Sequence, residues 1–438
     1  MKDFEINEKY GSWFRLDNSA AVYPMLITLK TQSLFRLGVE LKEYVDRDDL
    51  EKALKITFKR YPSFEVELSQ GFFRHYFVTN KRPPIVRADD GSLLKKIDFR
   101  YNKGYLLRVT YYKRKIFVDF FHGLCDGISA MEFLKTLVYY YLLERGVEYP
   151  HDNMIKTLSQ PLDLEEFKDG FKEYYTKFKI SKGIKSMKGE GAFPIKDKLF
   201  KKEGFGLVQA QINTDELLAL SKKYNCSLTV LLASIAMISI SKTYYKNDSN
   251  KDLVVFIPIN LRRFYPSKTV YNFTTFAKCR INPRAVEQTI EAYAEVIKEQ
   301  LSRQLTKEQL DLKLSFTSLM DKRPYLKYMP LFIKSFFAKL AKRLTGSAQQ
   351  TMIISNLGKV NMPKGYEEHI ENFSFNLNCG NKTPNNMAIV SYKDKTMISF
   401  TRQIVSTEIE RKFFTALSGM GLNVKIASNL REVAQDEM

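Results

Sequence analysis

The chain has 438 residues, of which 44% are hydrophobic and 27% charged. These proportions exclude a mostly disordered, collagen-like or coiled-coil chain and suit two or three domains, or two large lobes, around a sizeable core. Lys and Arg outnumber Asp and Glu by 69 to 49, a formal charge of +20, which fits either a lysine-rich soluble surface or attraction to phosphate-bearing cofactors, acidic proteins, nucleic acid or anionic membrane.

In chain order, Phe35 to Leu41 has strand character, and Asp46 to Asp49 opens a helix. Its apolar positions Leu50, Ala53, Leu54, Phe58 and Tyr61 follow helical spacing until Pro62 stops it. Phe64 to Leu68 and Phe72 to Thr79 read as a hairpin turned at Ser69-Gln70-Gly71, and Tyr105 to Tyr112 and Ile116 to Phe121 as a second turned at Lys113-Arg114-Lys115. A helix is predicted from Ile128 to about Gly146. Ser181 to Glu203, rich in Lys and Gly and without apolar period, is the expected linker.

The second half opens with a strand over Gly206 to Ile212, a short helix from Asp215 and a longer one from Leu228 after Ser227. Asp252 to Ile259 reads as a strand buried on both faces, and Val286 to Leu301 as an amphipathic helix. Met352 to Ile354, Phe373 to Leu377, Met387 to Tyr392 and Met397 to Arg402 read as strands. Thr407 and Glu410 have the spacing of a capping box for a last helix through Ile409, Phe413 and Leu417. Tyr328 to Leu344 is apolar and basic, with Phe332, Phe336, Leu340 and Leu344 on one helical face; such a helix ordinarily packs that face inward, the alternative being an anionic membrane or a lipid-binding entrance.

Several chemistries are argued against. The four cysteines, Cys125, Cys226, Cys279 and Cys379, form no CxxC pair, so neither a zinc knuckle nor a thioredoxin-like site is read, and no metal is expected. Walker A and HExxH motifs are absent, as are RNA-binding and helix-turn-helix signatures, so nucleic acid is not an expected partner. Met1 to Tyr10 lacks an apolar signal-peptide core, and the longest largely apolar run, Leu228 to Ile240, falls short of a transmembrane segment; a cytoplasmic location is the default expectation.

Of four histidines, His75 falls in a hairpin strand, and His151 and His369 in polar loop-like stretches. His122 stands apart: a strand delivers it, Gly123 follows, and a helix starts just beyond Asp126. An imidazole at a strand end, with its ordinary pKa near ~6.5, suits a general base, and Gly123 leaves room beside it for substrate. Equally, a lone HxxxD spacing suits a structural histidine followed by an Asp N-cap.

His122-Gly123-Leu124-Cys125-Asp126-Gly127 resembles the HxxxDG motif of the superfamily that includes chloramphenicol acetyltransferase, plant BAHD acyltransferases, bacterial and yeast alcohol acetyltransferases and peptide-synthetase condensation domains. Arg60-Tyr61-Pro62, Pro258-Ile259-Asn260-Leu261-Arg262-Arg263, Tyr271-Asn272-Phe273 and Ser355-Asn356-Leu357-Gly358 resemble further family segments in the same order. The bacterial alcohol acetyltransferases are the nearest in kind. The resemblance implies an α/β (α+β) fold of two lobes, each a mixed sheet flanked by helices, with a tunnel between them. The lobes would span residues 1–180 and 204–438, joined by 181–203. His122 would act as general base on an alcohol or amine acceptor attacking an acyl-coenzyme A thioester, probe for probe a co-substrate rather than a permanent cofactor, with an acetyl or short-chain acyl group. Asp126, Gly127 and Arg262 would support the motif, Asp126 by pairing with Arg262. Asn272, Thr274, Ser355 and Asn356 are the candidates for oxyanion or substrate contacts. Phe121 stands where many condensation domains carry a second histidine, and no DFGWG segment is evident, which favours free acceptors over peptide condensation and leaves a plant-type assignment without support. An acyl carrier protein as donor, and a non-catalytic scaffold of the same fold, are the alternatives.

Overall fold

The structure is a computed structural model that describes residues 13–28, 32–150, 154–177, 191–200, 204–245, 249–341 and 349–429. The first half contains β1 (Trp13–Arg15), α1 (Val22–Met25), β2 (Leu34–Leu41), α2 (Arg47–Arg60), β3 (Val66–Gln70), β4 (His75–Thr79) and β5 (Val86–Ala88). It continues with β6 (Leu107–Tyr112), β7 (Lys115–Phe121), α3 (Gly127–Glu144) and the single turn α4 (Gly170–Glu173). The second half contains β8 (Gly206–Asn213), α5 (Thr214–Lys223), α6 (Leu228–Tyr244), β9 (Leu253–Asn260), β10 (Thr274–Ile281), α7 (Ile290–Gln304) and α8 (Lys307–Thr317). After the short α9 (Leu319–Lys322) and α10 (Pro324–Lys327) come α11 (Leu331–Ala341), β11 (Met352–Val360), β12 (Ile370–Leu377), β13 (Asn385–Tyr392), β14 (Lys395–Arg402), α12 (Glu408–Gly419) and β15 (Lys425–Ser428).

Helix starts follow local chemistry. Asp46 caps α2 by accepting the N–H groups of Asp48 and Asp49, and Ser227 caps α6 through the N–H of Val230. Asp48 and Asp49 in the first turn of α2, with Lys59 and Arg60 in the last, complement its dipole. Helices α2 and α3 bury Leu54, Phe58, Phe133 and Leu134 against one face of a five-stranded sheet ordered β12-β2-β7-β6-β5. A second, seven-stranded sheet is ordered β10-β9-β11-β13-β14-β8-β15, and α6, buried from Val230 to Ser241, fills the core beside it. Strands β1, β4 and β3 form a small separate sheet. The two large sheets meet through β12: it follows β11 in the chain but pairs antiparallel with β2, so the second half returns a strand to the first sheet. Among the described residues no single helix is long and apolar enough to cross a membrane.

Several elements depart from the sequence expectations. Ser69 and Gln70 remain in the β3–β4 ladder, opposite Tyr76 and His75; the turn lies at Gly71 to Arg74, which puts Phe72 and Phe73 at the hairpin tip. The second hairpin turns on two residues, Lys113 with φ +51° and Arg114, because Lys115 already pairs with Tyr112. Helix α7 starts at Ile290 rather than Val286, capped by Thr289 through the N–H of Ala292. Strand β9 is buried without a break only over Leu253 to Val255, with Ile257 buried beyond, and β11 pairs with it only at Val255 and Phe256.

The Thr407–Glu410 capping box does not form. Thr407 makes no side-chain cap, and Glu410 turns inward toward Arg402, which is fully buried. The Glu410 carboxylate lies 3.6 Å from the guanidinium and accepts from Asn385 Nδ2 at 3.1 Å. Gly206 makes room for this cation: a Cβ there would sit 1.7 Å from Arg402 Nη1. Within the expected linker, residues 191–200 pack onto the second lobe, with Phe193 N–H donating to Asp252 O at 2.7 Å and Phe193 and Ile195 in its core. Residues 181–190 and 201–203 lie outside the described residues, as does His151.

Candidate active site

Strand β7 carries the motif to the junction of the lobes, and buried charge braces it. Asp119, fully buried, accepts from Arg36 Nε at 2.7 Å and Arg108 Nη2 at 2.6 Å, and Arg36 also reaches Asp89 at 3.0 Å. Burial opposes ionisation of Asp119, but the two guanidiniums outweigh it and hold the carboxyl below its usual range. Paired on β2 and β6 in this way, the strand ends at Phe121, and His122 N–H donates to Ser33 O at 2.8 Å.

The His122 ring is half-buried. Tyr23 of α1 stacks on it at 4.7 Å between centroids with a 15° interplanar angle, and Phe35 meets it edge-on at 5.2 Å. Its Nδ1 lies 3.1 Å from Asn272 Oδ1. Asn272 in turn places Nδ2 and its backbone N–H each 3.2 Å from Asp17 Oδ2, while Asp17 Oδ1 accepts from Ala20 N–H at 2.7 Å. In its ionised form Asp17 only accepts, so the amide nitrogen of Asn272 then faces Asp17 and its oxygen faces the imidazole. That oxygen can only accept as well, so His122 carries its proton on Nδ1 and leaves the Nε2 lone pair unprotonated.

Burial lowers the His122 pKa below 6.5, partly offset by its own backbone, the Asp126 charge and Asn272. Burial, and then the charge of Asp169, push the Asp17 carboxyl up to about 7 against the three N–H donors that favour its ionised form. If His122 is the base, kcat/KM rises with pH along an acid limb whose midpoint lies below 6.5, since only neutral imidazole accepts a proton. A pH–rate profile whose limb lies at about 8 or above, beyond both the free imidazole and the Asp17 carboxyl, would contradict this.

Asp126 serves both the helix and the lobe junction. Oδ1 accepts Ser129 N–H at 3.1 Å, capping α3, while Oδ2 accepts Arg262 Nη1 at 2.7 Å and Phe273 N–H at 2.9 Å. Arg262 also donates to Ser129 Oγ at 3.1 Å, Thr269 O at 3.0 Å and Tyr271 O at 2.7 Å. One guanidinium thus joins the start of α3 to the loop between β9 and β10. Burial opposes ionisation of Asp126, and Arg262 with the two N–H donors holds its carboxyl low. Gly127 admits the second lobe closely: a Cβ there would lie 2.8 Å from Leu357 Cδ2. The space beside Gly123 is not open to substrate, because the Phe121 ring occupies it and a Cβ would meet Cε1 at 2.5 Å.

The remaining candidates divide. Asn272 touches His122. Asn356 spends its amide within the second lobe, Nδ2 donating to Thr229 Oγ1 at 3.1 Å and Oδ1 accepting from Gly358 N–H at 2.8 Å. Thr274 opens β10 opposite Asn260, and Ser355 lies on β11 opposite Ala388. Asp17, Tyr23 and Phe35 were not singled out from the sequence. Asp17 is 255 positions from Asn272, and nothing local marks a pair so distant.

A groove of about 610 Å³ lies between the sheets, with Arg36, Phe117, Ser374 and Asn376 on one side and Gln209 and Met397 on the other. A second cavity of about 580 Å³ is bordered by Leu16, Asp169 and Tyr271, sequence neighbours or charge partners of Asp17 and Asn272. His122 lines neither, and Tyr23 covers one face of its ring.

Residues 206–418 match the alcohol acetyltransferase family. No curated protein sequence is significantly similar to the chain. Among solved structures, TRI101 of Fusarium sporotrichioides, complexed with coenzyme A and T-2, aligns with TM-score 0.62 at 12% identity over 94% of this chain and 99% of that one. The chain thus shares the fold of TRI101 over nearly its whole length, and its second half is similar to the alcohol acetyltransferase family. Polyketide synthase associated protein 5 from Mycobacterium tuberculosis aligns with TM-score 0.59 at 14% identity over 93% of this chain and 97% of that one. The first condensation domain of the CDA synthetase aligns with TM-score 0.57 at 13% identity over 92% and 94%. The acyltransferase-like fold thus spans nearly the whole chain, whereas the family match lies in the second lobe.

Proposed function

We propose that the chain transfers an acyl group, acetyl or short-chain, from a coenzyme A thioester to a hydroxyl or amine, with His122 as general base. The observation that carries this reading is the Asp17–Asn272–His122 chain of contacts, which leaves Nε2 as the basic nitrogen. The match of the second lobe to alcohol acetyltransferases supports the reaction class. Nε2 takes the proton from the acceptor as its oxygen or nitrogen attacks the thioester carbonyl. The tetrahedral oxyanion then collapses, expelling the thiolate, which regains the proton from the imidazolium. Asn356 is engaged elsewhere, so the hydroxyls of Thr274 and Ser355 are the remaining side-chain donors for the oxyanion. Thiol release from acetyl-coenzyme A, assayed across a panel of alcohols and amines with product masses determined, tests the reading; no acceptor-dependent release would sink it. Carrier-bound thioesters in the same panel separate the two donor classes.

Asn272 has its own expected effect. Asn272→Leu removes the acceptor of the Nδ1 proton and one of the three donors to Asp17, the side-chain amide, while the backbone N–H groups of residue 272 and Ala20 remain. Losing a buried hydrogen bond costs about 1–3 kcal/mol, or about five- to 150-fold in kcat where the contact is held in the transition state. The readout specific to positioning is the pH profile, whose acid limb moves because Asn272 favours the protonated imidazole. An unchanged limb with only a stability loss would make Asn272 merely structural.

A further inference from the structure

Helix α11 does not bury its aromatic face, contrary to the ordinary packing expected from its sequence. Phe332, Phe336 and Phe337 are between 55% and 69% exposed, and Tyr325, Tyr328 and Phe72 beside them are 59–67% exposed. The helix start is anchored by Leu331, buried and donating its N–H to Phe72 O at 2.8 Å, and by Lys334, whose Nζ donates to Phe73 O at 2.9 Å. Phe73 packs edge-on against Tyr328, so the β3–β4 hairpin tip and the helix form one continuous surface. The helix and the segment leading into it carry charge of one sign: from Lys322 to Ala341 there are five Lys or Arg and no Asp or Glu. Monomeric soluble surfaces rarely gather so much contiguous aromatic area.

We propose that this face docks on an anionic lipid bilayer. Phenyl and tyrosyl rings enter the headgroup boundary, while lysines such as Lys339 extend from the same helix to lipid phosphates. A second copy of the chain suits the face less well, since it would bring one cationic stretch against another. The proposal does not rest on the acyl-transfer reading. It nevertheless has a consequence for it, because α11 lies against α1, which holds Tyr23 over His122.

The test is co-sedimentation of the full chain with vesicles of phosphatidylcholine alone and of phosphatidylcholine containing about a third phosphatidylserine, at low and high salt. The chain is expected to partition onto the anionic vesicles. Phe332→Glu/Phe336→Glu, at two solvent-exposed positions, should reduce that partition at least about tenfold. Phe72→Glu on the hairpin tip should weaken it from a second element, and independently of how the helix tolerates substitution. Failure of the wild-type chain to bind anionic vesicles overturns the proposal. So does equal binding by the double variant, which would reduce the effect to net charge. A concentration-dependent dimer dissolved by the same substitutions also overturns it, assigning the face to a second copy.

Discussion

His122→Ala is expected to lower kcat for acyl transfer by about 10²–10⁴, the usual contribution of a positioned general base. Because the ring also packs between Tyr23 and Phe35, alanine removes volume as well as basicity. His122→Gln separates the two. Glutamine retains a polar group of comparable length but has no basic nitrogen, so its loss in kcat should match that of alanine while its thermal midpoint stays nearer wild type. Thiol release by either variant at the wild-type rate would refute the base assignment and leave a binding scaffold of the same fold.

Arg262→Ala is expected to cost about 3–5 kcal/mol of folding stability, since it strands the Asp126 carboxylate in a site with almost no solvent access. The loss should depend on pH. With Arg262 present, the Asp126 carboxyl is held below its unfolded value, so its contribution is complete above about pH 4 and disappears as pH falls through the folded value. The gap in denaturation midpoint between wild type and variant should therefore narrow under acid. Arg262→Lys keeps the charge but not the planar fork that reaches Asp126, Ser129, Thr269 and Tyr271 together, so it should restore only part of the stability. A pH-independent gap would mean that the lost hydrogen bonds to carbonyls outweigh the stranded charge.

What could be read from the sequence was mostly local. Asp46 before an apolar period marked α2, Ser227 marked α6, and the hairpin read over Tyr105 to Tyr112 and Ile116 to Phe121 marked the strand that delivers His122. The pairing of Asp126 with Arg262 was reached through resemblance rather than spacing, and it lies across 136 positions. The features that were misread depend on what a side chain finds at a distance. Glu410 has capping-box spacing, yet its side chain turns into the core beside the buried Arg402 and accepts from Asn385 Nδ2. Phe332 and Phe336 have the period of a buried stripe, but periodicity reports only that a face is apolar and not what lies opposite it. Gly123 reads as an opening, and the preceding Phe121 side chain folds back to fill it.

The strand that β12 lends to the first sheet sets an order on synthesis. Until about residue 377 has left the ribosome, β2 is a bare border carrying Leu34, Phe35, Leu37, Val39 and Leu41, and its unpaired amides invite any neighbouring strand. The nascent first half must therefore wait, or be shielded, while most of the second half is translated. Severing the chain between the lobes would yield an amino-terminal fragment prone to self-association, and adding the carboxyl-terminal fragment in trans should restore its solubility.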